Sequence, residues 1–365
     1  MEVLSLLQDL IATPRVSRDE TAAADLMEAW MDSHELNPQR KGNNLWCIAP
    51  GFDRMKPTIL LNAHIDTVKP VATWTRDPHA PTIEGDRLYG LGSNDCGGGL
   101  VTLLETFITL SAKPQTYNLI YLASCEEEVS GTGGIRLLAE TLDAPSLLAA
   151  LTGLPADSVA SASLIAIVGE PTGMQPAICE RGLMVIDGIA HGKSGHAARG
   201  EGINAISETL DDLLWIRDYR FPEQSPLLGP TTMQTTVINA GTQHNVVPDE
   251  CRFIIDVRTN EHYDNREVFA FLQSHCRSEL KARSFHLCSS SISETHPLIQ
   301  RCLSMGMEPF GSPTLSDQAL MRFPSFKLGP GQSSRSHSAD EFICLSEMQD
   351  ALSKYLELLD GIDIL

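Results

Sequence analysis

No Cys-x-x-Cys pair occurs in the 365-residue chain, whose nine cysteines stand apart at positions 47, 96, 125, 179, 251, 276, 288, 302 and 344. The spacing excludes a zinc ribbon, and the odd number argues against a disulfide framework. Both fit a reducing compartment, so a cytoplasmic location is expected. Positive charge is scarce: 27 Lys and Arg stand against 47 Asp and Glu, a net charge of −20. Such a chain repels phosphate backbones and anionic lipid surfaces, so neither nucleic acid nor membrane is an expected partner. A small anionic ligand stays compatible, because a local arginine outweighs the average. No apolar run approaches the ~20 residues of a membrane span. Met1 to Asp9 has no basic start, so no secretory leader is expected. Repeats and low-complexity tracts are absent too. What remains, 42% apolar and 20% charged residues, is a globular mix. At ~100–200 residues per domain its length implies about two domains.

Residues 2–12 and 20–31 carry helical periodicity, through Leu4, Leu7 and Ile11 in the first and Ala23, Leu26 and Trp30 in the second. Short apolar runs follow, each ending in polar chemistry. Thr58–Leu61 leads into Asn62-Ala63-His64-Ile65-Asp66, and Asn118–Leu122 into Ser124-Cys125-Glu126-Glu127-Glu128. Leu164–Val168 leads into Gly169-Glu170-Pro171-Thr172, and Phe326–Leu328 into Gly329-Pro330-Gly331. A helix over Leu100–Leu110, opened by Gly97-Gly98-Gly99, lies between the first two. Alternating strands and helices imply an α/β sheet, with ligands outside the carboxyl ends of its strands. Residues 183–290 read differently. Strand Leu183–Ala190, helix Ile203–Ile216, strands Thr235–Ala240 and Arg252–Val257, helix Arg266–Ser274 and strand Ser284–Cys288 form a β-α-β-β-α-β, ferredoxin-like unit. The α/β pattern resumes near residue 292 and closes with a helix over Ser346–Leu359, whose inner face is Met348, Leu352, Tyr355 and Leu359. The expected fold is a discontinuous α/β domain with a small α+β domain inserted.

The strand ends gather metal-type donors: His64, Asp66, Asp95, Glu127, Glu128, Glu170 and His337. Histidines with carboxylates are the nitrogen and oxygen set that zinc, cobalt or manganese accepts. Two divalent ions ~3.5–4 Å apart need one bridging carboxylate and terminal ligands on each side. Asp95 as bridge, His64 with Glu170, and Glu128 with His337 meet that need. Each residue alone also reads as a surface or capping group; convergence of four strand ends on one crevice favours the metal reading. Cys96 reads as a soft ligand or as a small packed thiol, and the complete oxygen and nitrogen set favours the latter.

The motifs His64-Ile65-Asp66-Thr67-Val68, Leu91-Gly92-Ser93-Asn94-Asp95, Glu127-Glu128, Glu170-Pro171-Thr172 and Gly329-Pro330-Gly331 with His337 resemble, in order, those of the M20 metallopeptidase family. Within it the chain is similar to acetylornithine deacetylases, especially the short bacterial type that includes acylcitrulline deacylases. The resemblance implies a di-metal domain, a mixed sheet flanked by helices, over 1–178 and 291–365. It also implies an inserted lid and dimerisation domain over 179–290. One departure is that the family often has Asp-x-Lys-Gly where this chain has Asp95-Cys96-Gly97-Gly98. If Glu128 is a ligand, its neighbour Glu127 is free to act as general base. Asp66 is placed to take the second ring N–H of His64, or else caps a turn. His196, in Gly192-Lys193-Ser194-Gly195-His196-Ala197, is by itself a lone loop histidine; the resemblance makes it the lid histidine that stabilises an oxyanion in a partner's site. Asn245 and Arg258 become candidates for the substrate's α-carboxylate, although Arg258 also reads as an ion-pair partner of Asp256 or Glu250. Ser333, Ser334 and Arg335, just before His337, are candidate pocket residues without an assigned role. The implied cofactors are two divalent ions, Zn2+ first and Co2+ second, and the implied assembly is a homodimer. The implied activity is hydrolysis of an N-acyl amino acid, with N2-acetyl-L-ornithine and arginine synthesis first. Acyl-citrulline deacylase, succinyl-diaminopimelate desuccinylase, dipeptidase and a silent binding protein are the alternatives.

Overall fold

The computed structural model describes residues 3–159 and 163–364. The chain divides into two compact units. The first holds the chain up to Ile178, then Ser291–Phe310 and everything from Ser316 onward. The second is Cys179–Ser290 together with Gly311–Leu315, a short return that the expected insert did not include.

In the first unit, strands Thr58–His64, Asn118–Ser124 and Leu164–Val168 are buried along their whole length. Continuous apolar runs of this kind have both sheet faces covered, as parallel strands require. Thr58–His64 lies centrally, parallel to both neighbours, with His64 opposite Ser124 and Asn62 opposite Val168. Ser325–Lys327 extends the parallel set beside Leu164–Val168. Asn44–Ile48 adds an antiparallel strand on the other side, which makes the sheet mixed.

The helix Gly98–Ser111 packs on this sheet, and Tyr121 donates its hydroxyl to the Leu100 carbonyl at 3.0 Å. Its start touches the chain after Leu164–Val168. A Cβ at Gly99 would stand 1.7 Å from the Gly169 carbonyl oxygen, so only glycine permits this approach. Val3–Ala12 and Leu345–Leu359 join the same core through Leu6, Leu7, Leu10, Met348, Tyr355 and Leu359. Among the described residues no helix is long and apolar enough to cross a membrane.

The second unit is a four-stranded antiparallel sheet in the order Thr232–Ala240, Glu250–Arg258, Met184–His191, Glu279–Ala282. Helices Ala205–Asp218 and Asn265–His275, capped by Asn204 and Asp264, complete the β-α-β-β-α-β order. Met184, Ile186, Ile216, Phe253, Ile255, Val257, Val268 and Leu272 form its core. The last strand is Glu279–Ala282, not Ser284–Cys288. Leu280 fills the buried position opposite Gly188, and Phe285 turns away to pack edge-on against Phe269 at 5.3 Å. Two main-chain bonds to the neighbouring strand lie beyond Ala282, from the Arg283 amide to the Val185 carbonyl at 2.9 Å and from the Leu183 amide to the Leu287 carbonyl at 2.8 Å.

Candidate metal centre

Parallel topology sends the ends of four strands to one edge of the first unit's sheet. His64 is the last residue of its strand, Glu127 and Glu128 open a short turn after Asn118–Ser124, and Glu170 follows Leu164–Val168. Gly329–Gly331 leads from Ser325–Lys327 to His337. Asp95 comes from the loop just ahead of Gly98–Ser111, and its peptide bond to Cys96 is cis.

His64 is the buried hub. Its Nδ1 lies 2.9 Å from the Asp66 carbonyl, an acceptor only, so Nδ1 carries the proton and Nε2 faces the acids. Around Nε2 stand Asp95 Oδ1 at 3.3 Å, Glu170 Oε1 at 3.6 Å and Glu127 Oε2 at 3.9 Å. The second oxygen of Asp95 faces His337 Nε2 at 3.6 Å, and Glu128 Oε2 reaches the same nitrogen at 2.9 Å. One carboxylate therefore stands between two histidines, each flanked by its own glutamate. His64, Asp95 and Glu128 form one group able to hold a metal ion, and His64, Cys96 and Glu170 form another. Cys96 itself accepts the His64 amide at 3.3 Å and meets the His64 carbonyl at 3.5 Å, while burial pushes its thiol up to about 12.

The role expected of the Asp66 carboxylate differs from its observed place. The ring N–H of His64 goes to the Asp66 main chain, and the nearest carboxylate oxygen is 3.6 Å away. That carboxylate instead accepts the amides of Glu127 and Glu128 at 3.1 and 3.3 Å and the Ser17 hydroxyl at 2.7 Å. Asp66 thus fixes the turn that presents both glutamates.

The electrostatics test whether cations suit the site. Burial first, then neighbouring carboxylates, pushes Glu170 up to about 8 and Glu127 well above the carboxylate range. Asp95 is held low because hydrogen bonding and charge from His64 outweigh its burial. Glu128 raises His337 to about 9. Glu170 Oε1 is buried and has no hydrogen-bond partner. Mutually repelling buried acids with an unpartnered oxygen call for a cation. Zinc bonds of about 2.0–2.2 Å at tetrahedral angles separate donor atoms by roughly 3.3–3.6 Å, the spacing found here around His64 and Asp95. The donors fit divalent ions.

The remaining sequence candidates are carried by other elements. His196 and Asn245 are neighbours in a two-stranded ribbon of the second unit, where His196 pairs with Val246 and the Ala197 amide meets the Asn245 carbonyl at 3.1 Å. Arg258 is on the Glu250–Arg258 strand of the same unit and is held by Asp256 through Nε and Nη2 at 2.7 and 3.0 Å. Arg335 is bound to Glu347 at 2.7 and 3.0 Å and lies over Phe342, so its charge has a partner already. Ser333 and Ser334 lead into it on a short turn.

Three contributors escaped sequence reasoning. Glu341 accepts the amides of Gly92, Asn94 and Asp95 at 3.1, 2.8 and 2.9 Å, which shapes the loop bearing Asp95. Asp317 accepts the Ser124 hydroxyl at 2.5 Å, and its charge adds to what pushes Glu127 up. Lys327 is 2% exposed, and its charge favours the ionised form of Glu170. Lys327 alone left a signal, a charge inside an apolar strand.

Strand-end histidines and carboxylates around a shared aspartate, on a mixed α/β sheet, are the parts of a metal-dependent hydrolase. The chain belongs to peptidase family M20/M25/M40, whose model matches residues 60–361. It is 25% identical to the acetylornithine deacetylase of Proteus mirabilis, over 98% of this chain and 96% of that one. It is 26% identical to succinyl-diaminopimelate desuccinylase 2 of a Ruegeria species, over 76% of this chain and 70% of the other. Among solved structures, the YXEP protein of Bacillus subtilis, a dinuclear metal binding peptidase of the M20 family, superposes with a TM-score of 0.68. That match is 17% identical and covers 99% of this chain and 98% of the other.

Proposed function

We propose that the protein is a two-metal amidohydrolase that removes the acyl group from an N-acyl amino acid, with N2-acetyl-L-ornithine as first substrate and arginine synthesis as its setting. The observation that carries this reading is Asp95, whose two oxygens face two histidines from opposite sides. His64 and Glu170 would hold one ion, Glu128 and His337 the other, with Asp95 shared between them. Zn2+ is the first choice and Co2+ the second. Bound there, two divalent ions lower the pKa of a water toward ~7 and polarise the amide carbonyl. Glu127, beside the set but outside the ligand count, takes the proton from the attacking water and delivers it to the leaving nitrogen. Asp66 keeps Glu127 and Glu128 aimed by holding their amides.

In the second unit, His196 is the oxyanion donor to a partner's site. Asn245 and Arg258 receive the substrate's α-carboxylate, with Nη1 of Arg258 left over by Asp256. A homodimer is supported by an apolar stripe. Ile206, Leu210 and Leu214 recur every four residues on one helix and are 38%, 49% and 46% exposed. On the edge strand Thr232–Ala240, Val237 and Ile238 are 41% and 50% exposed. Exposed apolar edges of this kind are usually covered. The setting is cytoplasmic, and the acidic surface leaves nucleic acid and membranes outside the reading.

A succinylated amino acid is the second reading, favoured by the likeness to the Ruegeria desuccinylase. The experiment is one panel of acetyl- and succinyl-ornithine, -citrulline and -diaminopimelate together with free dipeptides, assayed with added Zn2+ or Co2+. Turnover of acetylornithine above the others supports the proposal. Preference for a succinyl compound moves it to the second reading, and turnover of free dipeptides alone defeats both.

A further inference from the structure

Arg15 lies under the loop that carries Asp95 and has no role in the chemistry above. It is 2% exposed, and burial lowers its guanidinium to about 10, so it remains a cation. Nη2 donates to the Gly92 carbonyl at 2.8 Å, while Nε and Nη1 have no hydrogen-bond partner. Glu341 and Asp66 act on it through space. Burying a cation with two idle N–H edges is costly unless charges face it.

The same residue is gripped from its other side. Glu341, also 2% exposed, takes the Gly92 amide at 3.1 Å, so Gly92 lies between a buried anion on its N–H and a buried cation on its carbonyl. Arg15 is anchored in turn, because its carbonyl accepts the Thr67 amide at 2.9 Å, next to Asp66. One short segment therefore ties the His64–Asp66 turn to the Asp95 loop. Gly97 completes the arrangement. A Cβ there would stand 2.3 Å from the Gly92 oxygen and 3.4 Å from Arg15 Nη2. This is where the lysine of the Asp-x-Lys-Gly pattern would fall, and the loop as folded leaves no room for it.

We infer that Arg15 and Glu341 form a charged clamp on Gly92 that sets the position of Asp95 between the two histidines, the cation entering from the N-terminal segment rather than from the bridge motif. Arg15 is a positioning residue, and the inference rests on the two-metal reading. A mere counter-charge has the opposite signature: removing it would tighten cation binding.

The test is a set of variants, Arg15→Met, Arg15→Lys, Glu341→Gln and Arg15→Met/Glu341→Gln, made in the full chain. Affinity for Co2+ is measured by chelator competition, and amide exchange of Gly92, Asn94 and Asp95 is followed in the chelated protein. Arg15→Met and Glu341→Gln are each expected to weaken Co2+ binding about 10-fold or more and to speed exchange of these amides. Arg15→Lys is expected to recover part of both, and the double variant to fall no lower than the worse single, since neither charge is then left alone. Unchanged or tighter Co2+ binding in Arg15→Met, strictly additive losses, or Arg15→Lys as poor as Arg15→Met would overturn the clamp. If Arg15→Met does not fold, the Lys variant and Glu341→Gln decide by the same criteria. If the parent binds no Co2+, the two-metal reading fails, and unchanged amide protection in the variants would overturn the clamp on its own.

Discussion

At the scale of single residues, the proposed division of labour between Glu127 and Glu128 rests on where their oxygens point. Glu128 reaches His337 at 2.9 Å, whereas Glu127 stands 3.9 Å from His64 and lies outside the ligand count. Glu127→Ala is expected to keep its metal and lose ~10²-fold or more in kcat. His337→Ala is expected to lose metal. Metal analysis alongside kinetics checks both, and equal metal loss would dissolve the distinction. The six side chains that the structure brings together, His64, Asp95, Glu127, Glu128, Glu170 and His337, were legible because each lies after an apolar run or in a glycine-rich loop. Glu341 and Arg15 were not, because their partners Asp95 and Gly92 lie far away in sequence and no local pattern marks either. For Asp66 the sequence left two roles open, and it could not choose between them: whether a histidine's N–H meets a carboxylate or the carbonyl of the same residue is a matter of ångströms.

At the scale of elements, helix Gly98–Ser111 depends on Gly99 lying against the Gly169 carbonyl. Gly99→Ala forces backbone apart where the Glu170 strand end is set. Overpacking of this kind costs ~1–3 kcal/mol, so a lower Tm and weaker metal retention are expected together. A fall in Tm with metal affinity untouched would separate the helix from the site. Helix Pro297–Ser304 offers a pH test. His296 caps it by accepting the Leu298 amide at 3.2 Å, and burial holds the imidazole below its ordinary range. A lowered folded value means the unfolded chain binds the proton first, so the cap's contribution is present above ~6.5 and fades as pH falls through the folded value. His296→Asn, which caps without titrating, should remove that share of acid sensitivity; an unchanged stability–pH profile would contradict it. Element order and type were legible from periodicity, since buried parallel strands read as unbroken apolar runs. The strand read as Ser284–Cys288 was misplaced because Phe285, the strongest apolar signal there, serves the helix and Leu280 serves the sheet.

At the scale of the whole molecule, the second unit bears His196, the exposed helix stripe of Ile206, Leu210 and Leu214, and the exposed Val237 and Ile238 of its edge strand. If His196 serves a partner's site, mixing inactive Glu127→Ala chains with inactive His196→Ala chains should restore part of the activity, because one site in each mixed dimer holds both groups. No recovery after verified subunit exchange would place His196 in its own chain's chemistry or outside it. The account as a whole turns on one carboxylate shared by two ions. The most direct measurement is a titration of the chelated protein with Zn2+, followed by metal analysis and by turnover of an N-acyl amino acid at each step. Two ions bound per chain, with activity appearing as the pair is completed and both sites weakened in Asp95→Asn, is the expected result. Full activity with a single tightly bound ion, or with Asp95→Asn binding two ions as the parent does, would contradict it.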